Sequence, residues 1–249
     1  MIYATLLNAI DYPCSLILNQ EIRRHDPEGK HYVLLDKRFQ RFPYSDQNGG
    51  FARVERGHSD WGNRLDTKDV CLEEMRWFLK LSAENGRKPV IKIDADVWIN
   101  SWDRLRRLYA DIASGLASLV TGAQPHIAAA TGPAYIIQPC DEIITALQSM
   151  TLDRYPEDKC VFAACAAAGK KALLVNDLWA SNWFERAEGI NGGGVFAHAG
   201  EPLPGGRGNV PREICLERMI YSRYTRDLKK DLDKANSTKL AETQTKTDN

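Results

Sequence analysis

The sequence has no apolar run approaching the roughly 18 residues that a membrane-spanning helix needs. Its start, Met1 to Ile10, has no basic stretch, and Asp11 follows at once. That stretch reads as a first strand and not as a signal peptide, so a soluble cytoplasmic protein without a membrane partner is expected. Net charge is also missing: 33 Lys and Arg stand against 33 Asp and Glu. A neutral chain does not hold nucleic acid or an anionic membrane by bulk charge, although a local basic patch is still possible. There is no CxxC, and Cys14, Cys71, Cys140, Cys160, Cys165 and Cys215 sit singly in apolar or helical surroundings. They read as reduced, mostly buried thiols. No G-x-S-x-G occurs, which removes the nucleophile elbow of a serine hydrolase. No P-loop occurs, and Gly205-Gly-Arg-Gly208 does not follow a strand as a dinucleotide fingerprint would.

What is present is enough apolar residue for a real core, 43% of 249 residues, on a length that suits one large domain. Strand-like runs at Met1–Ile10, His31–Leu35, Pro89–Ile93 and Ala172–Val175 alternate with helical spacing at Cys14–Arg24, Asp66–Glu84, Ser101–Tyr109, Asp141–Met150, Pro156–Ala168 and Pro211–Tyr224. Residues 37–60 read as a long irregular loop, and Val195–His198 as a last short strand. Alternation of this kind predicts an α/β fold with a mostly parallel central sheet flanked by helices. One domain is expected over residues 1–224, followed by a polar, aromatic-free, disordered tail over 225–249. The sequence leaves the oligomeric state open.

In parallel sheets ligands bind beyond the carboxyl ends of the strands. Asp36, Asp94 and Asp96 all fall at predicted strand ends. In Val90-Ile-Lys-Ile-Asp94-Ala-Asp96 two carboxylates two residues apart face the same way as they leave a buried strand and enter a loop. Hard oxygen ligands suit Mg²⁺ or Mn²⁺, commonly shared with substrate phosphates. The alternative is two solvated acids in a turn. Pro156-Glu157-Asp158 opens a helix, where acids complement the dipole and cap free N–H groups, or hold a general base in place. Gly192-Gly-Gly194 leads into Val195-Phe-Ala-His198, a histidine either structural or ligating, with glycines that allow close backbone approach.

The order of these features, more than any one of them, resembles the core of the GT-A nucleotide-sugar glycosyltransferases. The β1,3-glycosyltransferases related to Fringe and the β1,3-galactosyltransferases are most similar. Their K-T-D-D-D-V-F-V-N is matched by Lys92-Ile-Asp94-Ala-Asp96-Val97-Trp-Ile-Asn100, with Ala95 at the middle position. Their G-T-G-Y is similar to Thr131-Gly132-Pro-Ala-Tyr135, and their E-D-V-Y-V-G to Glu157-Asp158-Lys-Cys-Val161-Phe. Asp60-Trp-Gly-Asn63-Arg-Leu65-Asp-Thr67-Lys68 loosely echoes D-x-Y-x-N-L-T-x-K-T. The resemblance covers roughly residues 1–200.

It implies a single GT-A, Rossmann-like domain. The implied activity is a metal-dependent, inverting transfer of a sugar from a nucleotide-diphosphate donor, a UDP-sugar by analogy, to a hydroxyl acceptor. Mn²⁺ or Mg²⁺ would be held by Asp96, Asp94 and His198. Asp158 would be the catalytic base, with Glu157 the fallback. Asp36 would contact the nucleoside, with Asp94 bridging to the donor and Lys68 or Arg23 neutralising phosphate. Trp98, Gly132, Tyr135 and Trp183 would meet the acceptor or sugar, and Trp179 offers a further aromatic face. The acceptor would be a glycan or another hydroxyl compound. Basic residues at Arg23–Arg41, Arg104–Arg107 and Arg218–Lys230 leave room for a phage-type enzyme acting on hydroxymethylated DNA bases. A sugar nucleotidyltransferase and a non-catalytic sugar-nucleotide-binding module are the other readings.

Overall fold

The computed structural model describes residues 1–38, 50–59, 67–124, 127–130, 133–151, 157–176, 178, 194–199, 211–224 and 227. Of Glu157, Asp158 and His198 only the backbone is described.

The first strand, β1 (Ile2–Leu7), is apolar on both faces and almost wholly buried, as a central strand covered on both sides must be. It pairs in parallel with β2 (Lys30–Leu35) on one side and with β4 (Val90–Ile93) on the other. Beyond β2 lies β3 (Arg53–Arg56), also parallel. Beyond β4 comes β8 (Ala134–Ile137), antiparallel, then β6 (Leu119–Gln124), which takes β7 (Ile127–Ala130) antiparallel and β9 (Ala172–Val175) parallel. The order is β3-β2-β1-β4-β8-β6-β7, with β9 beside β6. A second, two-stranded sheet joins β5 (Val97–Ile99) to β10 (Phe196–His198).

The helices sort onto the two faces of the large sheet. Helices α1 (Tyr12–His25) and α3 (Trp102–Ala113), with a C-terminal helix α6 over residues 212–224, share one core with Tyr3, Leu7, Val33, Ile91 and Ile93. Helices α2 (Thr67–Glu84), α4 (Asp141–Ser149) and α5 (Glu157–Ala167) share the other with Ile2, Ala4, Leu34, Val90 and Tyr135. Strand alternation makes this division: successive residues of β1 feed opposite cores. The α/β class with a helix-flanked central sheet, read from the sequence, is what the chain adopts. All six cysteines are free thiols, and all but Cys140 are buried.

One local reading changes. Strand β3 lies inside the stretch expected to be irregular. Its Arg-Val-Glu-Arg has one apolar residue and no alternation to betray it, because it is an edge strand, where charge is tolerated. Gly57 just beyond it cannot be replaced freely: a Cβ there would sit 2.7 Å from the Leu35 carbonyl, to which the Gly57 N–H already donates. Ala134–Ile137, meanwhile, inserts antiparallel between β4 and β6, so the parallel block is β3-β2-β1-β4. The proposed tail over 225–249 lies outside the described residues, apart from Asp227.

Candidate active site

The sheet reverses its winding at β1. The chain moves outward from β1 to β2 and β3, then returns to lay β4 on the other side of β1. A crevice at the carboxyl ends of such a pair is where open α/β sheets take ligands. Acids follow the carboxyl ends of both strands. Asp11 follows β1 in a 3₁₀ turn (Ala9–Asp11), and Asp94 and Asp96 follow β4. Asp36 follows β2 one strand further along.

Strand β4 ends at Ile93, so its alternation does not carry into Asp94-Ala95-Asp96. These residues form a turn closed by the Val97 N–H to the Asp94 carbonyl at 3.1 Å. The two carboxylates therefore meet different surroundings instead of sharing one strand face. Asp94 is 36% exposed and pairs with buried Lys92, Nζ to Oδ1 2.7 Å. The Lys92 ammonium also stands 5.9 Å from the centre of the Tyr135 ring. Asp96 is 5% exposed and pairs with Nη1 of Arg212, in the first turn of α6. The same guanidinium reaches Asp11, Nε to Oδ1 2.6 Å. Asp11 is the N-cap residue of α1, yet its side chain makes no cap hydrogen bond. Its carboxylate serves the crevice.

Electrostatics bind these groups into one cluster. Burial pushes Asp11 up to about 6, against the pull of Arg212 and with Asp96 and Asp94 adding to the rise. Burial works against the charge on Arg212, but Asp96 and Asp11 outweigh it and hold its pKa above the ordinary arginine value. Asp36 accepts from the backbone N–H, Nε and Nη2 of Arg38 at 2.8, 3.1 and 2.9 Å.

Backbone contacts bring two other sequence motifs to this edge. The Asp94 N–H donates to the Pro133 carbonyl at 2.8 Å, which sets Pro133 beside Asp94. His198 pairs across the small sheet with Val97, the residue next to Asp96, and the Ala199 N–H donates to the Asp96 carbonyl at 2.8 Å. Helix α5 leads from Glu157 through a short turn into the amino end of β9. Since β9 runs parallel to β6, the start of α5 is directed toward the carboxyl edge.

The other expected contacts are distributed differently. Lys68 donates to the carbonyls of Gln148 and Met150, at 2.7 and 3.0 Å, and so closes the C-terminal end of α4. Arg23 lies at the far end of α1, where it lines a cavity of about 460 Å³ with Asn19, His31 and Phe51, beside the amino ends of β2 and β3. Trp98 and Tyr135 are 3% and 2% exposed and pack into the two cores. Gly132, Trp179 and Trp183 lie outside the described residues.

Among the described residues no three His, Cys, Asp or Glu side chains are grouped so as to hold a metal. Asp11 and Asp96 converge on a cation of the chain itself, the Arg212 guanidinium. An all-oxygen pair that already gathers one cation, with His198 next to it in the backbone, fits a hard divalent ion. Asp11 and Arg212 were not singled out in the sequence. Asp11 carries the signal that marked Asp36, an acid at the end of an apolar run. Arg212 carries none, since 200 residues separate it from Asp11.

No known family profile matches the sequence, and no curated protein matches it. Solved structures do. A glycosyltransferase involved in the glycosylation of the major capsid of PBCV-1 matches 88% of this chain and 100% of its own, at 10% identity and a TM-score of 0.51. The apo-form glycosyltransferase GlyE of Streptococcus pneumoniae TIGR4 matches over 92% of this chain and 63% of its own, at 10% identity and a TM-score of 0.52. At such identity the likeness is one of architecture, and the chain has the GT-A-like fold of these glycosyltransferases.

Proposed function

We propose that the chain is a metal-dependent glycosyltransferase that moves a sugar from a nucleotide-diphosphate donor to a hydroxyl acceptor. The observation that carries this reading is the position of the acids. Asp11, Asp94 and Asp96 gather where the sheet reverses its winding, in a fold that solved glycosyltransferases share. The narrower kinship with the Fringe-related β1,3-glycosyltransferases rests on the motifs at Lys92–Asn100, Thr131–Tyr135 and Glu157–Phe162.

In this reading Asp96, Asp94 and His198 would hold Mn²⁺ or Mg²⁺, which would supply Lewis-acid neutralisation of the leaving diphosphate. Asp36, at the end of β2, takes the nucleoside. Asp94 turns its more exposed carboxylate toward the donor, while Lys92 fixes its orientation. Asp158, with Glu157 beside it, removes the proton from the acceptor hydroxyl. One base would suffice for an inverting displacement, in which the acceptor oxygen bonds to the anomeric carbon as the bond to the diphosphate breaks and Asp158 takes the hydroxyl proton. The donor's uridine and the acceptor's identity belong to the proposal too, the latter as a glycan hydroxyl.

The test is a nucleotide-sugar screen by mass spectrometry, with Mn²⁺ or with a chelator. Release of nucleoside diphosphate from one donor, dependent on Mn²⁺, is the expected result. Pyrophosphorolysis of the donor would point to a nucleotidyltransferase, and binding without any turnover to a non-catalytic module.

A further inference from the structure

The acid cluster already contains a cation of the chain's own. Arg212 spans it, with Nε on Asp11 and Nη1 on Asp96. The carboxylates are 11% and 5% exposed, whereas the arginine side chain is 28% exposed, so it is the partner that opens toward solvent. Asp11 makes no cap hydrogen bond on α1.

Arg212 can leave the acids without undocking its helix. Helix α6 is anchored elsewhere. Cys215 and Met219 are fully buried in the core. Arg218 donates to the Ala199 carbonyl at 2.6 Å, and Arg223 reaches Gln20 and Glu21 on α1, at 2.5 and 3.3 Å. A rotation of one long side chain would separate the guanidinium from Asp96 without moving these anchors.

We propose that Arg212 is a two-position counter-cation. In the metal-free protein it holds Asp96 and competes with a divalent ion for that carboxylate. Once the ion takes Asp96, like-charge repulsion turns the guanidinium toward solvent, where it meets the diphosphate of an arriving donor. This rests on the reading of Asp96 as a metal ligand. It adds that the chain, and not only the metal, controls when the acids become available.

Mn²⁺ binding, followed by the electron paramagnetic resonance signal of the free ion without nucleotide, tests the inference in wild type, R212M and R212K. R212M removes the competing charge and keeps the apolar stem, so Mn²⁺ binds about tenfold more tightly, with R212K in between because it cannot bridge both acids. UDP added with saturating Mn²⁺ then binds about tenfold more weakly to R212M. Equal or weaker Mn²⁺ binding in R212M overturns the competition and leaves the metal site standing. Absence of Mn²⁺ binding from all three folded proteins overturns the metal reading and the inference together. Unchanged UDP affinity in R212M overturns the second position of Arg212. If R212M does not fold by circular dichroism, R212K alone decides on the same criteria.

Discussion

Two buried polar groups of contacts sit on the same strands and are built in opposite ways. In the middle of the sheet, the Thr5 hydroxyl donates to the Ile93 carbonyl at 2.8 Å and meets His31 Nε2 at 2.8 Å, while His31 Nδ1 meets Asn19 Oδ1 at 3.0 Å. Burial lowers the His31 pKa to about 3, so this chain of contacts carries no charge at neutral pH. At the carboxyl edge, Asp11, Asp94 and Asp96 hold charge in partial burial, and Arg212 serves two of them at once. Desolvated charge costs free energy unless it is matched. The neutral chain ties α1, β2, β1 and β4 together. At the edge the charges are matched by two cations, Lys92 on Asp94 and Arg212 on Asp11 and Asp96.

The comparison predicts that changes at the edge cost chemistry and changes in the neutral chain cost stability. The largest effect falls on Asp96→Asn. Donor turnover with Mn²⁺ drops by about 10³-fold or more, the scale of a lost metal interaction, while the fold persists because Arg212 retains Asp11. A steady-state rate and a melting curve on one sample check both halves. Next is Asp158→Asn, which keeps UDP affinity and lowers sugar transfer by about 10²–10⁴-fold, the usual contribution of a general base. Full transfer in that variant would remove Asp158 from the base position and leave Glu157.

His31→Leu tests the other side. It leaves Thr5 and Asn19 without their central partner and costs about 1–3 kcal/mol of stability, a melting point lower by several degrees, with kcat little changed in the folded fraction. The sign of its pH dependence follows from the lowered pKa. Protons bind His31 more readily in the unfolded chain, so its contribution is present above pH 6.5 and is lost as pH falls from there toward 3. Wild type loses stability over that window more steeply than His31→Leu. A loss of turnover that exceeds the loss of folded protein would break the division between the two regions. The smallest effect is expected of Lys68→Met, which removes two donors from the end of α4 and costs about 0.5–1 kcal/mol. A tenfold loss of donor affinity there would return Lys68 to the phosphate-binding role its motif suggests.

Most of the scaffold was legible because apolar periodicity is a local property. Helix α2 is expected at Asp66–Glu84 and found at Thr67–Glu84; β9 is expected and found at Ala172–Val175. Strand β3 escaped because an edge strand needs no apolar face. The rim acids Asp36, Asp94 and Asp96 were legible as acids at strand ends. Their grouping with Asp11 was not, because it depends on which strands become neighbours. Arg212 was invisible for a stronger reason: its partners are fixed only when α6 docks beside Asp11 and Ala199. Trp98 and Tyr135 show the converse. Aromatic residues near a motif suggest ligand faces, yet both rings are enclosed, since large apolar side chains stabilise a core most.

The central claim is that the acids at the reversal of the sheet hold a divalent ion together with a nucleoside diphosphate. A crystal grown with Mn²⁺ and UDP, measured at the manganese absorption edge, tests it most directly. The account predicts one anomalous peak about 2.0–2.6 Å from a carboxylate oxygen of Asp96, with the diphosphate on the ion's other side. Bound UDP without a peak at Asp96, or a peak away from the carboxyl ends of β1 and β4, would contradict it.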